Sequence, residues 1–236
     1  MADDARVRVG VLAPMPAELK AVRRAFGLTR SSVDGVDACV GRVGDVEVIA
    51  TTTGMGTVLA RAATERMLDL GVSRIVVSGI AGGVDPALQI GDLVVPDRLV
   101  DHASGATFTP HLLGDTEPGG AILTTDELLD WARLKPRISE GIVAVDMENT
   151  AVAAACEERG VPWTVFRGIS DRLVDKEIDN AIFTLAHQDG TPNPGAIARY
   201  VLRNPLRLRL LAKLGKDMVA GANAAARAAL AAVRTL

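Results

Sequence analysis

The sequence predicts an α/β domain in which buried strands form a sheet covered by helices. Two observations carry this reading. The chain is 48% hydrophobic but only 3% aromatic, so its core must be built from Val, Ile, Leu and Ala, which suits strands buried on both faces. Short β-branched runs also alternate with helical ones, most clearly between Gly141 and Asp171. There Ile142 to Val145 reads as a strand, Val152 to Cys156 lies in an Ala-rich helical pattern closed by Gly160, and Pro162 opens a second apolar strand from Trp163 to Ile169. In a parallel sheet both strands end at one edge, where α/β folds bind ligands. That edge would gather Asp146, Glu148 and Asp171 around Met147. Carboxylates that close buried strands mark a candidate site.

The remaining elements follow in order. Arg6 to Ala13 reads as a first strand, and Pro16 falls in the first turn of the next helix, where its missing N–H does no harm. Glu18 then lies in that first turn, where the helix dipole is expected to keep it ionised. Val36 to Arg42 and Val46 to Thr51 flank Val43-Gly44-Asp45 as a hairpin. Thr53-Gly54-Met55-Gly56 leads into a helix from about Thr57 to Leu70, closed by Gly71. Such a glycine turn lets backbone N–H groups approach an anion or a sugar, and it would equally serve any tight strand-to-helix connection. Arg74 to Ser78 is a further buried strand, followed by a second glycine turn, Gly79 to Gly83, against which a planar ligand would lie. Ile90 to Pro96 reads as another strand, and Ala121 to Thr124 as a short one before the charged segment Asp126 to Arg137.

Residues 102 to 120 carry little periodicity and form a long loop, usually a sign of function or mobility. His102 and His111 lie there without a third ligand at zinc spacing, so neither a metal nor another cofactor is expected. Beyond Asp171, Asp179 to Ala186 reads as a helix, His187 to Gly195 as a loop, and two terminal helices are separated by Asn204-Pro205. In the last helix Leu206, Leu210, Leu214 and Met218 recur every four residues beside Arg207, Arg209, Lys213 and Lys216. A basic amphipathic helix of this kind can lie on a membrane. Packing on its own sheet with a solvated basic face is the reading preferred here.

The length fits one large domain. With no internal repeat and no linker, residues 1–236 read as a single domain with helices at 195–235 as an extension. The net charge of −3, without a basic block, excludes a nucleic-acid groove. Cys39 and Cys156 stand far apart in apolar surroundings and read as buried reduced thiols. Neither a signal pattern at the first residues nor a bilayer-length apolar run is present, so a cytoplasmic location is expected.

Six motifs then occur in order: Ala13-Pro-Met-Pro-Ala-Glu18, Thr53-Gly-Met-Gly56, Ser78-Gly-Ile-Ala-Gly-Gly83, Gly91-Asp92, Val145-Asp-Met-Glu148 and Arg167-Gly-Ile-Ser-Asp171. Together they resemble the nucleoside phosphorylase/nucleosidase superfamily, and most closely its methylthioadenosine/S-adenosylhomocysteine nucleosidase branch. The resemblance implies a mixed central sheet flanked by helices, usually in a homodimer, with a small nucleoside as substrate. It implies that Asp171 protonates the departing base and that Glu18 activates water. Glu148 would accept hydrogen bonds from the ribose hydroxyls, with Met147 against the sugar. Ile80, Ala81 and Gly82 would lie along the ligand, with Ser170 beside the acid. The chain departs from the family's pattern at Asp146, where the family has Glu, and between His102 and Ala121, where a helix is missing. It departs again at Thr125 to Leu129, where Leu128 replaces a stacking aromatic and leaves the base identity open.

This agrees with the chemistry. Breaking an N-glycosidic bond builds positive charge on the ribose and negative charge on the base, so an acid at the base and carboxylates around the sugar both help. Asp171 must hold a proton and Glu18 must lose one, opposed requirements typical of an acid/base pair. A phosphorylase would need arginine and a hydroxyl donor near the glycine turns. The positions corresponding to those of phosphorylases read Val77 and Ile80, which argues for water as the nucleophile. On the other side, Asp189-Gly-Thr-Pro-Asn-Pro-Gly with Leu202-Arg-Asn-Pro resembles the hopanoid-associated phosphorylase branch, which would suit a lipid-linked substrate. A non-catalytic nucleoside-binding protein is the reading from another class, and the retained pair Glu18 and Asp171 argues against it.

Overall fold

A computed structural model describes residues 7–175, 185–205 and 207–236. Eleven strands form one mixed sheet in the order β2-β3-β4-β1-β5-β10-β9-β7-β8, with β11 and β6 attached at β5. Strand β1 (Arg8–Ala13) leads into helix α1 (Pro16–Phe26), and β2 (Thr29–Val33), β3 (Val36–Val43) and β4 (Val46–Thr52) follow as an antiparallel meander. Helix α2 (Thr57–Asp69) returns the chain to β5 (Arg74–Gly83). After β6 (Leu93–Val94), β7 (Arg98–Asp101), β8 (Thr107–Phe108) and β9 (Ala121–Thr124) come a short α3 (Trp131–Leu134) and a 3-10 segment, Lys135–Glu140. Strand β10 (Ile142–Asp146), helix α4 (Asn149–Glu158) and strand β11 (Trp163–Arg172) precede the terminal helices α5 (Pro194–Arg203) and α6 (Arg207–Val233).

Helices cover both faces. On one, Ala60, Met67 and Leu68 of α2 and Val152, Ala153 and Cys156 of α4 meet Ile75, Val77, Trp163 and Val165 of the sheet. On the other, Val22 and Phe26 of α1 join Ala222, Ala225, Ala226 and Ala229 of α6 over Val9, Val11, Val76 and Phe166. The near absence of aromatics is thus resolved as expected, by β-branched strands against alanine-rich helices that approach closely. Both cysteines are free and buried.

Several expectations are corrected. Residues Gly79 to Gly83 are not a turn: β5 continues through them, because β11 pairs with it in parallel from Ile75 to Gly83. Strand β10 runs antiparallel to β5, and therefore to β11, so the two strands do not end at one parallel edge. Asp146 instead meets the middle of β11, and Asp171 its end. The strand expected over 90–96 shrinks to two residues, and β2 is added where the sequence Thr-Arg-Ser-Ser-Val carries no apolar alternation. The loop over 102–120 contains the two-residue β8, paired with β7. The helix expected over 179–186 falls largely on residues outside the described ones.

The terminal helix divides its labour. Its buried face is Gly221, Ala222, Ala225, Ala226, Ala229, Ala232 and Val233, while Leu210, Leu214 and Met218 of the expected stripe are only half-buried. Where α6 crosses β11 the two backbones touch: a Cβ on Gly168 would clash with the Gly221 carbonyl, and one on Gly221 would lie 2.8 Å from the Gly168 oxygen. Small residues at both positions are what let the helix settle on the strand.

Candidate active site

The site grows out of a fork in the sheet. Strand β1 accompanies β5 only as far as Leu12 opposite Val77, and β10 joins the same strand only at Gly82 and Gly83. Between them the edge of β5 lacks a sheet partner, and an unpaired buried N–H is costly. Glu18 supplies what the sheet omits. Its Oε1 accepts from the Ile80 N–H at 2.7 Å, and its Oε2 accepts from the Met15 N–H at 2.6 Å. The second bond is the reach-back of a capping box, placed by Pro16 at the start of α1. Gly79 is needed here, because a Cβ would run into both Glu18 and Arg167.

Arg167, fully buried in the middle of β11, is the hub. Its Nη2 donates to Asp146 Oδ2 at 2.6 Å, to Glu148 Oε2 at 3.1 Å and to Asn149 Oδ1 at 2.8 Å, and its Nη1 donates to the Ile80 carbonyl at 3.2 Å and lies 4.0 Å from Glu18 Oε1. Removing one side of so buried an ion cluster typically costs about 3–5 kcal/mol. Sequence reasoning gave Arg167 no role. The available signal was an arginine inside an otherwise apolar strand, a charge that must find partners once buried.

Asp146 and Glu148 are held differently. Asp146 Oδ2 also accepts from the Glu148 and Asn149 N–H groups, opening α4, and Oδ1 accepts from the Thr124 hydroxyl at 2.6 Å. The short side chain suits this Asx-type turn. Glu148 Oε1 accepts from the Gly56 N–H at 3.2 Å. The glycine turn therefore does meet an anion, but the anion is the protein's own. Likewise the N-terminus of α2 is satisfied by Asp126, which accepts from the Thr57 N–H at 2.9 Å and from the Thr57 hydroxyl.

The acid end depends on a bulge. The β11–β5 register passes from Ile169 opposite Ala81 to Asp171 opposite Gly82, leaving Ser170 as an extra residue. Such a bulge re-aims the side chain that follows. The Ser170 hydroxyl donates to Asp171 Oδ1 at 2.6 Å, and a Cβ on Gly82 would stand 3.2 Å from Asp171 Oδ2.

These groups line one cavity of about 860 Å³. Glu18, Ile80, Ala81, Gly82, Leu128, Asp146, Met147, Glu148, Arg167, Ser170 and Asp171 all border it. So do Met15, Met55, Val58, Leu59, Leu214 and Met218, which sequence reasoning did not place here. Neither His102 nor His111 does, and no group of His, Cys, Asp or Glu among the described residues could hold a metal.

Electrostatics overturn one expectation. Glu18 is not kept ionised by the helix dipole: burial raises it to about 8, against the opposing pull of Arg167 and of the Ile80 N–H. Glu148 is also raised, first by burial and, after the opposing pull of Arg167, by Asp146. Asp171 is raised by burial, lowered by the Ser170 hydroxyl and raised again by Asp217. One guanidinium faces three buried carboxylates, Glu18, Asp146 and Glu148.

A sequence profile of the Phosphorylase superfamily matches residues 8–138 and 120–203. The chain belongs to that superfamily. Among curated relatives, the 5'-methylthioadenosine/S-adenosylhomocysteine nucleosidase of Mycobacterium tuberculosis is 29% identical over 219 residues, covering 70% of this chain and 86% of the relative. That of Marinomonas sp. is 28% identical over 196 residues, covering 69% and 85%. Among solved members of the fold, the futalosine hydrolase of Helicobacter pylori superposes with a TM-score of 0.72 at 21% identity, covering 98% of this chain and 99% of that one. The methylthioadenosine/S-adenosylhomocysteine nucleosidase of the same organism gives the same values. These superfamily structures share the mixed sheet flanked by helices, as the sequence motifs implied.

Proposed function

We propose that this chain hydrolyses the N-glycosidic bond of an adenine nucleoside of the methylthioadenosine/S-adenosylhomocysteine type. The observation that carries the choice of nucleophile is the charge of the cavity wall. Six acids border it, Glu18, Asp126, Glu127, Asp146, Glu148 and Asp171, and Arg167 is the one basic side chain among the described residues that does so. Arg167 is already spent on three carboxylates, and the Ile80, Met15, Gly56 and Thr57 N–H groups are taken by others. A phosphate dianion would enter a field of six acids in which these N–H groups are already engaged. A ribosyl cation would be favoured there.

In this reading Asp171 gives its proton to the purine N7 as the bond to the base breaks, and the bonding pair leaves with the base. Water adds to the sugar carbon as Glu18 takes its proton. A base with a pKa near the working pH is the efficient kind. Glu148 accepts from the ribose hydroxyls and Met147 packs on the sugar. Asp146, with its oxygens engaged, acts by holding Glu148 and Arg167. Met, Leu and Ile side chains replace aromatic stacking on the base, Leu128 among them. The half-buried Leu214 and Met218 offer an apolar wall to a 5′ substituent.

No helix of the described residues is long and apolar enough to cross a membrane. Val58 and Leu128 are 79% and 42% exposed at the cavity rim, and we assign them to the contact between two copies in a homodimer. The deciding assay is release of the base from methylthioadenosine, and from futalosine in parallel, with and without phosphate. A free sugar at equal rates in both conditions is expected. A sugar 1-phosphate formed only with phosphate would move the chain to the phosphorylases, and binding without any base release would make it a binding protein.

A further inference from the structure

Asp171 borders two cavities. Its front faces the large one. The other is a small, partly open cavity of about 10 Å³ lined by Ile90, Asp171, Arg172, Asp175, Lys213, Leu214 and Asp217, which has room for about one water. The charged groups on this side come from two directions. Arg172 and Asp175 belong to the end of β11 and the turn after it, and face each other at 3.9 Å. Lys213 and Asp217 lie one turn apart on α6 and pair at 3.2 Å, with the Asp217 side chain 19% exposed. On the front side the ionisable groups are Glu18, Asp126, Glu127, Asp146, Glu148 and Arg167.

Neither Asp217 nor Lys213 borders the large cavity. Both nonetheless line the small cavity together with the residue whose proton the reaction needs. We propose that Asp217, with Lys213 as its counter-ion, is a positioning residue: its negative charge across the shared small cavity keeps the proton on Asp171 and so sets the pH range in which the base can leave. Burial alone disfavours ionisation of Asp171, while the Ser170 hydroxyl favours it. A second carboxylate behind the acid tips this balance back toward the protonated form, as one acid does to another wherever two share a site. The terminal helix thereby contributes chemistry as well as packing.

The inference rests on Asp171 being the acid, and the test separates the two claims. The pH dependence of kcat/KM would be fitted to two apparent pKa values in wild type, Asp217→Asn and Lys213→Met. Removing the negative charge makes Asp171 ionise more readily, so in Asp217→Asn one apparent pKa falls by about half a unit or more. Removing the cation leaves the field of Asp217 uncompensated, so in Lys213→Met that same pKa rises. The other apparent pKa, set by Glu18, stays in place. Opposite shifts of a single pKa are what a merely structural disturbance would not produce. If neither variant moves it, or both move it the same way, the role of Asp217 is overturned. If Asp171→Asn retains full activity, the acid assignment itself has failed, and these shifts say nothing of Asp217.

Discussion

At the scale of residues, burial raises both acids assigned to chemistry, and each makes a measurable difference. Asn at position 171 has the shape of the acid but cannot give up a proton as a carboxylic acid does. Asp171→Asn is expected to lower base release by about a thousandfold or more, within the range usual for a lost general acid and its electrostatics, while a titration with the intact nucleoside still shows binding. Glu18 makes its mark on stability. Its pKa in the folded chain is about 8 against an ordinary 4.5, so the folded state binds this proton more tightly than the unfolded one. Its contribution is therefore complete below the lower value and is lost as pH rises through the upper one. Glu18→Gln removes that titration. The variant should lack hydrolytic activity, and its melting temperature should gain on wild type between about pH 4.5 and about pH 8 and level off above that. A constant difference across that range would contradict the raised pKa.

At the scale of elements, the fork of β5 and the crossing of α6 over β11 decide where those residues stand. β5 changes neighbours on one side from β1 to β10, and Glu18 occupies the interval. The crossing depends on Gly168 and Gly221, where backbones meet without side chains between them. Gly168→Ala would force the helix away from the strand, and overpacking against backbone rarely relaxes. The variant should lose at least ~2 kcal/mol in urea unfolding. Because β11 carries Arg167, Ser170 and Asp171, activity per folded molecule should fall as well. An unchanged midpoint would show that the helix can ride higher than its packing suggests.

At the scale of the molecule, α6 closes one face of the sheet with seven buried residues, from Gly221 to Val233. We propose that the chain is one cooperative unit in which the terminal helices are not dispensable. Ending it at residue 194 should expose Val11, Val76 and Phe166 and give a chain that fails to unfold cooperatively by calorimetry. A truncated chain with a sharp transition would make these helices a true appendage.

What the sequence determined by itself is the kind of structure and the kind of chemistry. Aromatic-poor apolar runs required a covered sheet, and Pro16 with Glu18 announced a helix start that the structure retains. The order of the six motifs pointed to the superfamily. Contacts between distant segments stayed illegible, because local pattern carries no strand direction. The sequence could not show that β10 runs against β5, that Arg167 would gather Glu18, Asp146 and Glu148, or that Gly56 and Thr57 would spend their N–H groups on Glu148 and Asp126. Nor could it tell that a glutamate at a helix N-terminus, expected to be ionised, would have its pKa raised to about 8. That outcome is set by burial among other carboxylates, and burial is a property of the assembled fold.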